Sequence, residues 1–242
     1  MQSSQHVRTF KRLLLAVAAA AAIPSVASAQ AWTVDGGNAT LTFSQEALDT
    51  LNLITVSVSG SGETTSPGAG QFVFPIIDGT FSGDSLATII TQPTAGVNLT
   101  RGETVISLND FRVDAASKTL FGDITIGDTV TQDTALYTFT TVTEERVSLG
   151  GQQEERRLSS SGMFITETAL NTLSDALGVP AFLRPVVGEV DFGTLNGVVN
   201  VTAAVPEPST YALLGLGLAG VGFLSKRRRA KAASEEAAAQ AA

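Results

Sequence analysis

Between Gln30 and Val205, apolar and polar residues mostly alternate in short runs, and glycine-containing turn pairs separate the runs. A period of two places successive side chains on opposite faces of a strand. On this pattern strands are predicted at Ala39–Phe43, Ile54–Ser59, Gln71–Ile77, Thr104–Leu108, Leu120–Ile126, Ala135–Val142, Ser160–Ile165, Val186–Phe192 and Val198–Thr202. In the sixth, Tyr137, Phe139 and Thr141 face one way and Thr138, Thr140 and Val142 the other. Too few helical patterns intervene for a parallel α/β sheet. The expected fold class is therefore mainly β: a β-sandwich-like domain with one or two short helices.

The helical patterns resemble each other. "LTFSQEALDTLN" (Leu41–Asn52) and "MFITETALNTLS" (Met163–Ser174) share A-L-[DN]-T-L at a spacing of 122 residues. In each, a strand runs into a hydroxyl residue, Ser44 or Thr166, placed to cap a helix whose first turn carries Glu46 or Glu167. Leu48 and Leu51, or Leu170 and Leu173, then form an apolar stripe. Duplication of a strand–helix unit and coincidence in a Leu/Thr/Ala-rich chain both account for this, and the helices are expected to pack on the sheet.

The two ends of the chain break the alternation. Arg8, Lys11 and Arg12 precede an eleven-residue apolar run, Leu13 to Ile23, followed by Pro24 and the small residues Ala27-Ser28-Ala29. A basic segment, a short apolar core and an A-x-A site make a secretory signal peptide, with cleavage expected between Ala29 and Gln30. At the other end stand Val205, Pro206, Glu207 and Pro208, then an uncharged apolar stretch from Tyr211 to Leu224. This stretch contains Leu213, Leu214, Gly215, Leu216, Gly217, Leu218, Gly220, Gly222 and Phe223. Its fourteen residues give about 21 Å of helix against roughly 30 Å of hydrocarbon, a marginal span unless Ser209, Thr210 and Ser225 extend it. Lys226, Arg227, Arg228 and Arg229 then hold this end in the cytoplasm. The expected organisation is a signal peptide (1–29), an exported β-rich domain (30–204), a sorting segment with a single transmembrane helix (205–230) and a cytoplasmic tail (231–242).

Pro-Glu-Pro, a short glycine-rich span and a basic cluster closely resemble the PEP-CTERM sorting signal of Gram-negative bacteria. The resemblance covers Val205 to Arg229. It implies processing by an exosortase, a membrane cysteine transpeptidase, after Sec-type export and a transient stay in the inner membrane. It also implies a final place at the cell surface or outside, in company with exopolysaccharide and biofilm. The segment Phe72–Asp128 looks like a β-sandwich repeat known from haem-binding surface domains, with Gln92-Pro93-Thr94-Ala95-Gly96 where such domains carry a histidine-containing turn.

Composition narrows the chemistry. The only histidine is His6, inside the expected signal peptide, and there is no cysteine. The exported part therefore builds no Ser-His-Asp triad, no Cys-His pair and no His-ligated zinc or haem, and it carries no disulfide. Twenty acidic residues stand against seven basic ones between Gln30 and Val205, a balance of −13 that repels nucleic acid. The carboxylate pairs Asp110/Asp114, Asp123/Asp128, Glu144/Glu145 and Glu154/Glu155 invite a glycosidase reading, with Asp110, Asp123 and Glu167 as candidates. Before the tail, however, there is one tryptophan, Trp32, and one tyrosine, Tyr137, so aromatic sugar platforms are lacking. For calcium, Asp123 and Asp128 are the best candidates, without the dense Asp/Asn/Gly loop such sites use. "EERVSLGGQQEERRLSS" (Glu144–Ser160) reads as a hairpin tip with a solvated charged face. The expectation is a non-enzymatic surface or matrix protein needing no cofactor. The alternatives are a carboxylate-dependent glycan hydrolase and a calcium- or haem-type binding module.

Overall fold

A computed structural model describes residues 31–204, 215–223 and 225–226. Ten antiparallel strands dominate the body. They are β1 (Trp32–Phe43), β2 (Ser57–Ser61), β3 (Gln71–Ser82), β4 (Ser85–Thr91), β5 (Gly96–Arg101), β6 (Thr104–Asp114), β7 (Thr119–Ile126), β8 (Thr129–Gly150), β9 (Gln153–Ile165) and β10 (Gly193–Ala203). Helix α1 (Gln45–Leu53) follows β1 and α2 (Glu167–Leu177) follows β9. A 3₁₀ turn (Ala181–Leu183) and the short α3 (Arg184–Gly188) lead into β10.

The mainly β expectation holds, and the sandwich-like core is made by one sheet closing on itself. Strand β6 pairs with β7 along Ile106–Asp114, while its other edge takes β5 over Thr104–Asn109 and then β4 over Arg112–Asp114. The ladder β6-β7-β8-β9-β10-β1-β3-β4 thus returns to β6, with β5 and β2 as a branch. Closure leaves few unpaired strand edges. Opposite walls meet across a single core. A Cβ added to Gly197 of β10 would lie 3.0 Å from Ile89 Cδ1 of β4, so any larger residue there requires the isoleucine to shift. On β1, a Cβ at Gly37 would lie 2.0 Å from the Val198 carbonyl oxygen, which fixes glycine beside the bulge between Val34 and Gly36.

Differences from the predicted elements have local causes. Val186–Phe192 is not a strand: Pro185, set for the first helical turn, starts α3 and the chain turns before β10. Strands β4 and β5 escaped the pattern because each buries few residues, Leu86, Ile89 and Thr91 in one and Gly96, Val97 and Leu99 in the other. Strand β8 runs 22 residues, pairing with β7 in its first part and β9 in its second.

The two strand–helix units are built alike. Ser44 Oγ accepts from Ala47 N (3.0 Å) and donates to the Asp191 carbonyl (2.6 Å). Thr166 Oγ1 accepts from Ala169 N (3.2 Å) and donates to the Ala135 carbonyl (2.6 Å). Even the backbone matches, with Ser44 N donating to Phe192 O and Thr166 N to Leu136 O. Each hydroxyl therefore caps its helix and fastens it to a neighbouring segment, where a cap alone contributes ~1 kcal/mol.

The far ends of both helices meet one side chain. Arg101, at the end of β5, donates from Nε to the Ile54 carbonyl at the C-cap of α1 (2.9 Å). Its Nη1 donates to the carbonyls of Leu177 and Gly178 at the end of α2 (2.7 Å each). One guanidinium satisfies carbonyls that a helix end leaves free and complements both dipoles. Replacing it by methionine keeps the aliphatic stem and removes these bonds. Arg101→Met is expected to lower stability by about 2–3 kcal/mol, checked by urea denaturation, with Arg101→Lys falling between the two.

Candidate functional site

The ends of the body leave it side by side. Trp32 pairs with Ala203, and Ala204 N donates to the Ala31 carbonyl at 2.7 Å. Ala203 N also donates to Gln152 O (2.9 Å), which sets the β8–β9 turn at the same level. The β3–β4 turn, Ser82 to Ser85, reaches this region as well. We call this end the base.

At the base, Arg156 of β9 is fully buried, at 0 % exposure. Its guanidinium carbon lies 4.5 Å from the Trp32 ring centre and 5.8 Å from that of Phe81. Around its edge, Nη1 donates to Glu144 Oε1 (3.0 Å) and the Asp84 carbonyl (3.0 Å), while Nη2 lies 2.9 Å from Glu154 Oε2. Asp84 also takes the Trp32 indole N–H at 2.7 Å and an ion pair from Arg146. Glu144 Oε2 accepts from Leu86 N (3.1 Å). A buried cation is tolerated only when paired and bonded, and here carboxylates from two strands and a turn provide that. Two aromatic faces complete the enclosure.

The charged run Glu144–Ser160 is indeed a hairpin, but Arg156 corrects its expected solvated face. The alternation held the signal: Arg156 shares a face with the buried Leu158, while Arg157 points outward. Clustering of charge in the sequence obscured the period.

The other carboxylates are distributed differently from the predicted pairs. Asp114 folds back on its own turn, accepting from the backbone N–H groups of Ala116 and Ser117, and the Ser117 bond leads in holding its carboxyl below the usual range. Asp110, with a positive φ of 52°, faces Asp123 and Asp133 instead. Burial, then the charges of Asp123 and Asp133, push its carboxyl up. Asp123 accepts from Asp133 N (2.8 Å), and Asp133 pairs with Arg112 (2.6 Å). Glu167 sits on the first turn of α2. Among the described residues, no group of three or more His, Cys, Asp or Glu side chains is placed to hold a metal ion.

Two small cavities, about 40 and about 20 Å³, lie in the core. Apolar side chains line both, with Tyr137 shared and Ser174 or Thr91 as the other polar residue. Tyr137 is buried against Phe192, with ring centres 5.2 Å apart, and burial drives its hydroxyl well above the ordinary range. No carboxylate reaches either cavity.

The signal cleavage residues Ala27, Ala29 and Gln30 lie outside the described residues, as do Val205, Pro206, Glu207, Pro208, Tyr211, Leu213, Leu214, Leu224, Arg227, Arg228 and Arg229. Residues 215–223 and 225–226 are helical, with Leu216, Leu218, Val221 and Phe223 exposed. Among the described residues no helix is long and apolar enough to cross a membrane.

The family model of the PEP-CTERM protein-sorting motif matches residues 204–229. The chain thus carries a PEP-CTERM sorting motif, which implies exosortase processing, export and C-terminal membrane anchoring before cleavage. No curated protein matches the chain in sequence. Among solved structures, the chain is similar to the C-terminal domain of HtaA from Corynebacterium glutamicum. That similarity has 11% identity and a TM-score of 0.46, and covers 71% of this chain and 99% of the other.

Removing the buried guanidinium leaves Glu154 without its ion pair, takes one partner from Glu144 and Asp84, and empties the space beneath Trp32. Arg156→Met is expected to cost about 3–5 kcal/mol, measured by chemical denaturation, and to shift the fluorescence of Trp32. The Asp84 carboxyl is held below its ordinary value of 3.8, first by the bond from Arg146 and then by the one from Trp32. The folded body therefore binds this proton more weakly than the unfolded chain does. Its contribution is present above the ordinary value and is lost as pH falls through the lowered one. Melting curves from neutral pH to pH about 3 should show Asp84→Asn less stable near neutrality and losing less than wild type on acidification. Asp110 acts in the opposite sense, its contribution present below the ordinary value and lost as pH rises through the raised one.

Proposed function

We propose that this protein is a non-enzymatic surface or extracellular-matrix component, delivered by its C-terminal signal and associated with exopolysaccharide. Its body serves as a stable acidic scaffold on the outside of the cell, released or transferred when an exosortase acts on the motif. The observation that carries this reading is the place of the motif: it starts at Ala204, one residue beyond the last strand residue, Ala203. The sorting segment is thus appended to a finished fold. Two further features support a non-catalytic body. The two core cavities hold no carboxylate, and at the base Asp84, Glu144 and Glu154 are engaged in ion pairs or hydrogen bonds.

The topology proposed for the precursor is an exterior body, an apolar tail segment in the inner membrane and the basic cluster Lys226–Arg229 on the cytoplasmic side. Sec-type export, with cleavage between Ala29 and Gln30, delivers the N-terminal end. Intact mass of the protein recovered from its host's medium and membranes tests the whole scheme. The expected species begins near Gln30 and ends close to Pro208. A membrane-bound species retaining Arg229 and Ala242 would make the tail a permanent anchor and refute the sorting step.

A further inference from the structure

The base is also where the body is tied to the membrane, and its surface chemistry changes there. Six residues, 205–210, separate Ala204 from the apolar stretch that opens at Tyr211. Fully extended, they reach about 20 Å. Because Ala31 and Ala204 are hydrogen-bonded neighbours, the tail leaves the body at the base, beside its N-terminal end. The helix-covered end lies at the opposite end of β1, whose twelve residues span on the order of 40 Å.

The β8–β9 tip at this base is uncharged over seven residues, Val147 to Gln153, within an exported part whose balance is −13. Leu149 projects from it with 55% of its surface exposed. Of the carboxylates nearest the tip, Asp84, Glu144 and Glu154 are held against Arg146 and Arg156, Glu155 pairs with Arg157, Asp35 accepts from Thr202, and Glu145 is exposed. An anionic leaflet repels free carboxylates and accepts an apolar, uncharged loop.

The geometry points to the base as a membrane-resting surface: the β8–β9 tip, with Leu149 foremost, seats on the outer leaflet of the inner membrane while the tail is anchored. This rests on the sorting reading above and extends it to the orientation of the body. A single leucine binds a bilayer weakly, but the short tether keeps its effective concentration high. Buried Arg156 then has a role beyond packing, since it neutralises Glu144 and Glu154 beside the anionic surface. Cleavage at the motif removes the tether, and the body leaves.

The chain has no cysteine, so one introduced thiol reports alone. Full-length Leu149→Cys and Phe182→Cys proteins, each carrying an environment-sensitive dye, are reconstituted in phosphatidylethanolamine/phosphatidylglycerol vesicles. Phe182 is 77% exposed and follows α2 at the helix-covered end. Quenching by spin-labelled lipid is expected to be at least about threefold stronger at position 149, as for a group seated at the headgroup boundary. Ser148→Cys, also exposed, replaces Leu149→Cys if the latter does not fold. Equal quenching at the two ends, or stronger quenching at 182, overturns the orientation while leaving sorting intact. A chain that does not float with the vesicles overturns both.

Discussion

The antiparallel pairing of β1 with β10 joins the first strand of the body to its last, from Trp32 beside Ala203 to Phe43 beside Gly193. In a chain without cysteine, this ladder takes the place a disulfide would have as the link between distant ends. It converts a row of hairpins into a closed sheet and gives both strands partners on each side. Its cost is steric: the close approach of the two backbones requires glycine at position 37. With the ring closed, Leu41, Phe43, Leu195 and Val199 face a common interior with Phe74 and Ile89 of the neighbouring strands.

The two ends of this closed sheet solve opposite problems, and an arginine sits at each. At the helix-covered end, Arg101 meets carbonyl groups that two helices leave without partners. At the base, Arg156 meets carboxylates and aromatic faces, and is itself removed from water. Both tasks use the planar guanidinium, whose donors diverge to several acceptors and whose face stacks on a ring. Lysine matches neither geometry.

The sequence showed most of the strands and both capped helices because they follow simple periods: two along Ala39–Phe43 and Leu120–Ile126, and a hydroxyl ahead of A-L-[DN]-T-L in the helices. The matching bonds of Ser44 and Thr166 give the repeat a structural counterpart. What was hidden depended on contacts far apart in the chain. Arg156 looks like one charge among many until β8 and the β3–β4 turn bring Glu144 and Asp84 to it. Trp32 looks like an isolated aromatic until Phe81 and Arg156 are seen beside it. Closure at β4–β6 rests on three residue pairs, a register no local pattern encodes. The sorting motif was legible for the opposite reason: its proline pair, apolar run and basic cluster are local signals.

The β1–β10 ladder also fixes an order of events. The strand that leaves the ribosome first finds its last partner only when β10 has followed, with more than 140 residues between Phe43 and Gly193. Closing so large a loop has to wait for that distant segment, and the native ring does not form from an incomplete chain. A nascent body therefore lacks its final tertiary structure for most of its synthesis. On the Sec-type route proposed above, that delay keeps the ring open during passage until the segment next to the tail has emerged.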